Sequence, residues 1–218
     1  MLTRDYFMRI ISQLAAVLAS VLRLMKLNRH EEALEEIQTS SKQLLGMDLR
    51  LLSTLSDAEF IRLLSLGERF DVEKCVAIAE LLRIVGDVRA DQGKEEEGSR
   101  ARLTALSLFL ELSQQETGSL PQEYHETVEN IIRMLTPAGM PARINKKLFS
   151  YYESLGKFAK AEDALFRVVE EDPTFVEAGI KFYERLRLKS DKELELGGLP
   201  RNEIDSSVQD LSRRRRLS

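Results

Sequence analysis

The sequence has no tryptophan and only one cysteine, Cys75, among its 218 residues. A single cysteine excludes an intrachain disulfide, so we expect a reducing compartment, the cytoplasm. Only five prolines and eleven glycines interrupt the chain, and alternating runs of β-branched residues are missing. Leu, Glu, Ala, Lys and Arg are abundant instead, which favours helices over strands.

The chain also lacks a strong charge of either sign, because its formal net charge is −4. Proteins that bind nucleic acid usually carry a strong basic bias, so we expect no nucleic-acid partner. One weak exception is the arginine run Arg213, Arg214, Arg215 and Arg216. Such a run stays solvated by itself, although it could also contact RNA, anionic lipid or an acidic protein.

Long hydrophobic runs are missing as well. Thirteen uncharged residues lie between Arg9 and Arg23, whereas a membrane span needs about 20 apolar residues. The run has the length of a signal-peptide core. Asp5 precedes it, however, and the apolar pattern continues through Met25. These features favour a buried helix, and we expect no membrane span.

Apolar residues recur at three- and four-residue steps along most of the chain, which predicts about nine helices. The first covers residues 2–27 and has an apolar stripe wide enough for burial on more than one side. Others are expected near 29–45, 71–92, 94–113, 121–135, 142–155, 158–171 and 174–189. A capping-box spacing at Ser56–Glu59 predicts a short helix start. The fold class is therefore an all-α antiparallel helix-hairpin array.

We expect this array to span residues 1–190. Gly197-Gly198-Leu199-Pro200 has the composition of a linker, and the residues after it are mostly polar. Residues 191–218 are therefore expected to form a flexible C-terminal tail.

The clearest hairpin lies at residues 142–173. Leu148 and Tyr152 lie one turn apart on its first helix, and Gly156 lets the chain reverse. Ala161 permits the two helices to approach closely, and Pro173 ends the second helix. Equivalent turns lie at positions 28 and 93, so the three successive turns at 28, 93 and 156 are 65 and 63 residues apart. This spacing predicts three units, each a hairpin plus one further helix.

The segment 142–173 resembles a tetratricopeptide repeat, which implies an α-solenoid that binds proteins. Departures from that pattern are Asn145 in place of an aromatic residue, Phe149 in place of a small one, and Val168 in place of alanine. A weaker second match involves Leu24, Asn28, Ala33 and Ile37. The whole chain is also similar to a family of uncharacterised bacterial helical proteins, through residues 5–11, 31–37 and 44–48. That similarity implies no activity.

Residues with catalytic chemistry are sparse. Only two histidines occur, His30 in a turn and His125 on a helix face expected to be exposed, and no metal-ligand spacing is present. One alternative is a catalytic pair in which His125 activates Cys75 as a nucleophile. Cys75, however, lies on an apolar stripe, where a free cysteine usually acts as a small hydrophobe. We expect no catalytic residue, cofactor or metal.

Four polar residues of the best hairpin are expected on its exposed face, and they are the possible partner-binding residues: Arg143, Lys146, Ser150 and Glu153. The two cations could accept a peptide carboxylate, although solvated charges are the simpler interpretation. The function hypothesis is a non-enzymatic scaffold that binds an unknown protein or peptide. One alternative is a self-associating protein that dimerises through its N-terminal helix. A further alternative is a hydrolase with carboxylates in an interhelical cleft.

Overall fold

The computed structural model describes residues 2–49, 59, 72–115 and 120–217. Within these ranges it contains ten α-helices, two short 3-10 helices and no strand. The prediction of an all-α helix array is thereby confirmed. None of the helices in the described ranges is long and apolar enough to cross a membrane. The chain divides into two compact units, Met1–Ala138 and Gly139–Ser218.

The first unit contains five described helices, and α3 is central to it because it packs against α1, α2 and α4. In addition, α1 packs on α2, and α4 packs on α5. Apart from Glu59, which is helical, the helix start predicted at Ser56–Glu59 lies outside the described residues. The five helices are α1 (Leu2–Lys26), α2 (His30–Leu45), α3 (Val72–Asp91), α4 (Glu95–Leu112) and α5 (Tyr124–Leu135).

The second unit also has five helices. The first two form the predicted hairpin, and the third packs against the last. A 3-10 turn, Pro173–Phe175, connects the hairpin to the third helix, and Asp172 caps it by accepting a hydrogen bond from Thr174 N. The helices are α6 (Ala142–Ser154), α7 (Phe158–Glu171), α8 (Val176–Arg187), α9 (Asp191–Leu196) and α10 (Arg201–Leu217).

One turn geometry occurs three times, at the positions that the sequence predicted. Asn28, Gly93 and Gly156 each have a left-handed backbone, with φ of 56°, 76° and 68°. This conformation favours glycine and tolerates asparagine. After each of them comes a basic residue whose N–H donates to the carbonyl five residues earlier, at 2.9 Å in all three turns. These basic residues are Arg29, Lys94 and Lys157.

The second helix of each hairpin carries a small buried residue at the same place. Ala33, Gly98 and Ala161 each donate their N–H to the basic turn residue, at 3.0 Å in every case. All three are buried. A larger side chain there would hold the two helices apart. The turns and these small residues together confirm that three hairpins repeat along the chain.

Helices α3 and α4 approach each other closely at a pair of glycines, Gly86 and Gly98. A Cβ on Gly98 would lie 2.8 Å from Gly86 O and 3.2 Å from Ala90 N. A Cβ on Gly86 would lie 2.9 Å from Gly98 O and 2.6 Å from Arg102 Cγ. Because the backbones themselves touch, neither glycine has room for a side chain.

Most of residues 191–217, where the sequence suggested a flexible tail, lie in the helices α9 and α10. Four apolar side chains anchor this segment, and all are almost completely buried: Leu194, Leu199, Ile204 and Leu211. In addition, Gly197 O accepts a hydrogen bond from Ala159 N at 3.0 Å. Few apolar residues thus hold a mostly polar segment, which is why its composition suggested a tail. The first compact unit ends at Ala138, and the second begins at Gly139.

A capping box at the start of α9 lowers the pKa of Glu193 and so makes stability depend on pH. Ser190 N donates to Glu193 Oε2 at 2.9 Å, and the Ser190 hydroxyl donates to it at 2.8 Å. Lys189 Nζ lies 3.3 Å from the same carboxylate. These donors lower the pKa of Glu193 from 4.5 to about 2. Because a depressed pKa stabilises the folded state at higher pH, this contribution is lost as pH falls from 4.5 towards 2.

We expect a carbon-13 NMR titration of the Glu193 carboxyl group to show a midpoint near 2. The Ser190→Ala variant loses the hydroxyl that donates to Glu193. The midpoint of the Glu193 titration should therefore rise part of the way to the ordinary glutamate pKa. A wild-type midpoint at 4.5 would show that the capping box does not form in solution.

A candidate protein-binding cleft

A cleft of about 700 Å³ lies in the first unit, between α2, α3 and α4. Each helix contributes one face, because its lining residues recur at three- and four-residue steps. On α2 the steps run from Glu31 to Gln38, and on α3 from Leu82 to Arg89. Six apolar residues form the lining's hydrophobic part: Leu34, Ile37, Leu49, Leu82, Val85 and Ala101.

At one end of the cleft, charged side chains of the lining pair with one another. Arg89 Nη1 lies 3.7 Å from Glu31 Oε1, and Arg89 Nε lies 3.2 Å from Glu97 Oε2. Gln92 Nε2 also donates to Glu31, at 2.8 Å. Close by, His30 Nε2 lies 2.7 Å from Asp91 Oδ2, which connects the first hairpin turn to the second. These contacts hold the turns together and balance the charge of Arg89.

Three other polar groups of the cleft are not satisfied within the described part of the chain. Glu35 is exposed and has no ion pair or hydrogen bond there. Arg100 makes only one, a long 3.4 Å bond to Glu96 O. Gln38 Nε2 is buried and has no hydrogen-bond partner. Buried polar groups are usually paired, so Gln38 has a donor without an acceptor among the described residues.

A chain of ion pairs lies on the other side of α3. Arg83 binds Glu80 and Asp87, each at 2.8 Å, and Arg102 binds Asp87 at 2.9 Å. The Glu80 side chain is only 7% exposed and that of Arg102 only 11%. Burial, reinforced by the carboxylates of Glu80 and Glu123, raises the pKa of Tyr124 to about 12. All four charges have partners, so this group ties α3 to α4.

The structure places the four predicted partner-binding residues on α6, where two of them already bind within the unit. Lys146 Nζ lies 2.8 Å from Asp172 Oδ2 and 5.3 Å from the ring of Phe175. The pKa of Asp172 is lowered, chiefly by the hydrogen bond from Lys146. The α6 surface around Lys146 is therefore less open than the sequence suggested.

Glu153 is the second of these paired residues, because it accepts two hydrogen bonds from Arg185, at 2.7 and 2.8 Å. The other two, Arg143 and Ser150, are exposed, and Arg143 also makes a contact of its own. Ser150 donates only to Lys146 O, at 3.4 Å. The four residues thus share a face of α6, and half of them stabilise its contacts with α8 and the preceding turn.

Both residues of the candidate nucleophile pair, Cys75 and His125, are largely shielded from solvent. Cys75 is 1% exposed, inside the core of the first unit. His125 is half-buried, instead of exposed as the sequence predicted, and makes a contact of its own. No group of three His, Cys, Asp or Glu side chains in the described ranges could hold a metal ion.

Sequence reasoning missed the cleft, because its lining comes from three helices, and its first and last residues, Glu31 and Thr104, lie 73 positions apart. A weak signal was present. Leu34 and Ile37 on α2, like Leu82 and Val85 on α3, form apolar pairs three residues apart beside charged neighbours. Such pairs indicate a helix face, but they do not tell which other helix faces it.

The comparisons with known proteins give one finding. A model of a family of unknown function, DUF6483, matches residues 1–216. No curated protein matches the chain, and no solved structure matches it. Since the family model covers nearly the whole sequence, the chain belongs to this family of unknown function.

Proposed function

We propose that this chain is a non-enzymatic scaffold that binds another protein in the cleft between α2, α3 and α4. The observation that carries the proposal is the cleft itself, with its apolar lining and its unsatisfied Glu35, Gln38 and Arg100. The cleft is concave and combines six apolar with eight polar lining residues, and concave sites that offer both kinds of contact are where proteins usually bind ligands.

The architecture supports the same proposal. The cleft is built from preformed helices of two hairpins, so a partner would bind with a small ordering cost. We infer that the hairpins are tetratricopeptide-like, because each has a left-handed turn residue followed by a small buried residue on the second helix. Arrays of such hairpins expose extended surfaces that suit protein binding. With its single buried cysteine, the chain fits the cytoplasm.

An affinity purification tests this function. The tagged full-length protein should retain a stoichiometric partner from an extract of the cells that produce it. The Leu34→Asp variant, which puts a charge in the cleft lining, should lose that partner. The Leu155→Asp variant changes a leucine that is exposed in the second unit, so it should retain the partner. Absence of a stoichiometric partner, or equal recovery with Leu34→Asp, would count against the proposal.

A second candidate function is self-association through α1. One row of its residues is buried, and the neighbouring row, Ile11, Ala15, Leu18, Leu22 and Met25, is half-buried or exposed. Leu22 in this row is 54% exposed, and no charged residue occurs between Arg9 and Arg23. An uncharged helix face of this kind fits a two-fold contact with a second copy.

If α1 mediates a dimer, light scattering at high micromolar concentration should give twice the monomer mass. The Leu22→Lys variant should then be monomeric, because two lysines would face each other across the two-fold axis. Leu196→Lys in the second unit, where the leucine is also exposed, serves as the control and should remain dimeric. A wild-type protein that stays monomeric would eliminate this candidate.

The hydrolase alternative required buried carboxylates with raised pKa values. In the cleft the three glutamates, Glu31, Glu35 and Glu97, are exposed. The carboxyl groups of the described residues with a resolved change, Glu32, Asp172 and Glu193, all have lowered pKa values. This cleft therefore does not meet that requirement, and we propose binding instead of hydrolysis.

A further inference from the structure

We propose that the cleft binds one amphipathic α-helix of a partner protein, about two turns long, with oppositely charged residues along its two edges. This inference rests on the proposed function and specifies the kind of partner. Three properties of the cleft support it: its size, the arrangement of its apolar lining, and the charges on its two sides.

The size of the cleft matches a short helix. The α2 lining runs from Glu31 to Gln38, which corresponds to roughly 10 Å along the helix axis. Two turns of a helix about 10 Å in diameter occupy about 800 Å³. The cleft has a volume of about 700 Å³. A helix of this length therefore fills it, whereas an extended strand would leave much of it empty.

The lining is also arranged for a helix. Residues of α2, α3 and α4 line the cleft, and α3 packs against both α2 and α4. Side chains at three- and four-residue steps on each helix form ridges, and the ridges of an incoming helix pack into the grooves between them. The apolar face of an amphipathic helix would thus cover Leu34 and Val85, which are half-buried, as in other helix-in-groove complexes.

The two sides of the cleft carry opposite unpaired charges. Glu35 lies on α2 and Arg100 lies on α4. A bound helix complements both when a cation extends from one edge and an anion from the other. Reversing the direction of the helix would place like charges together, so the pair also selects its orientation. Gln38 Nε2, which has no partner, can donate to an acceptor on the bound helix.

Fluorescence anisotropy with three stapled helical peptides tests this inference on the full-length protein. Each peptide carries leucines along one face. The first has lysines on one edge and glutamates on the other, the second has glutamates on both edges, and the third has lysines on both. Wild-type protein should bind the mixed peptide about fivefold more tightly than either of the others, as expected for partly exposed ion pairs.

Charge reversal on the protein should change this order. Glu35→Lys makes both sides basic and should favour the peptide with glutamates on both edges, and Arg100→Glu should favour the one with lysines. Both residues are exposed, so these variants should fold. Val85→Arg, which puts a charge in the cleft lining, should abolish binding of all three peptides. If the Val85→Arg protein does not fold, Ala101→Glu serves as the second variant and should have the same effect. Absence of saturable binding by wild-type protein, or an unchanged order in the charge variants, would overturn the inference.

The outcome separates this inference from the proposed function. If the peptides fail to bind while a natural partner is still lost with Leu34→Asp, the cleft binds a protein by something other than a helix. If both experiments fail, the proposed function fails too. Self-association that Val85→Arg abolishes would assign the cleft to a second copy of the chain and would also overturn the inference.

Discussion

Replacing Asp87 by alanine should lower the free energy of unfolding by about 3 kcal/mol, the lower end of the cost of breaking a buried ion pair. The reason is Arg102, which is 11% exposed and has Asp87 as its carboxylate partner, at 2.9 Å. Without that partner its charge would remain buried and unpaired. We choose the lower end because the Asp87 side chain is 27% exposed, and water therefore compensates part of the loss.

Urea denaturation measures this effect, and the same unit offers a matched control. Glu32 pairs with Arg29 on the surface, so Glu32→Ala should leave stability almost unchanged. The double variant Asp87→Ala, Arg102→Met removes both charges and keeps the aliphatic stem that lies over Gly86. It should therefore recover most of the lost stability. An Asp87→Ala protein as stable as the Glu32→Ala control would contradict the described network.

Replacing Gly98 by alanine should destabilise the protein by about 2 kcal/mol, as overpacking of a close contact does. Helix propensity alone predicts the opposite, because alanine is better than glycine in a helix by about 1 kcal/mol. Steric overlap should prevail here, since the new Cβ would lie 2.8 Å from Gly86 O. That atom belongs to the backbone of α3, so only a displacement of the whole helix could relieve the overlap.

Gly179→Ala is the matched control for this prediction. A Cβ at Gly179 would lie 2.6 Å from Leu211 Cδ1 and 3.0 Å from Leu165 Cδ1. These atoms are the ends of flexible side chains and can rotate away, so we expect a change smaller than about 1 kcal/mol. Thermal denaturation followed by circular dichroism compares the two. A Gly98→Ala protein at least as stable as wild type would show that α3 and α4 do not cross so closely.

Local sequence signals predicted the helices and turns well. The helices expected at 142–155 and 158–171 are found at Ala142–Ser154 and Phe158–Glu171. Turns at positions 28, 93 and 156 have the left-handed backbone that the sequence suggested. These features depend on residues within a few positions of each other, so the sequence specifies them directly.

Features that join distant residues could not be predicted in this way. The segment 191–217 was expected to be a tail, because its few apolar residues are widely spaced among polar ones. Its order depends on contacts such as that between Leu211 and Gly179. Likewise, the pairing of Glu153 with Arg185 and the convergence of α2, α3 and α4 on one cleft follow from tertiary packing, which periodicity does not specify.

The most direct test of protein binding in the cleft is photo-cross-linking in living cells. A benzophenone amino acid at Thr39, which is exposed at the cleft, is compared with the same residue at Ala19, which is exposed on α1. We predict a cross-link from position 39 to a second protein, lost when Val85→Arg is added, and no such cross-link from position 19. A cross-link from position 39 only to residues 50–71 of the same chain would show that the cleft is occupied internally and would contradict the account.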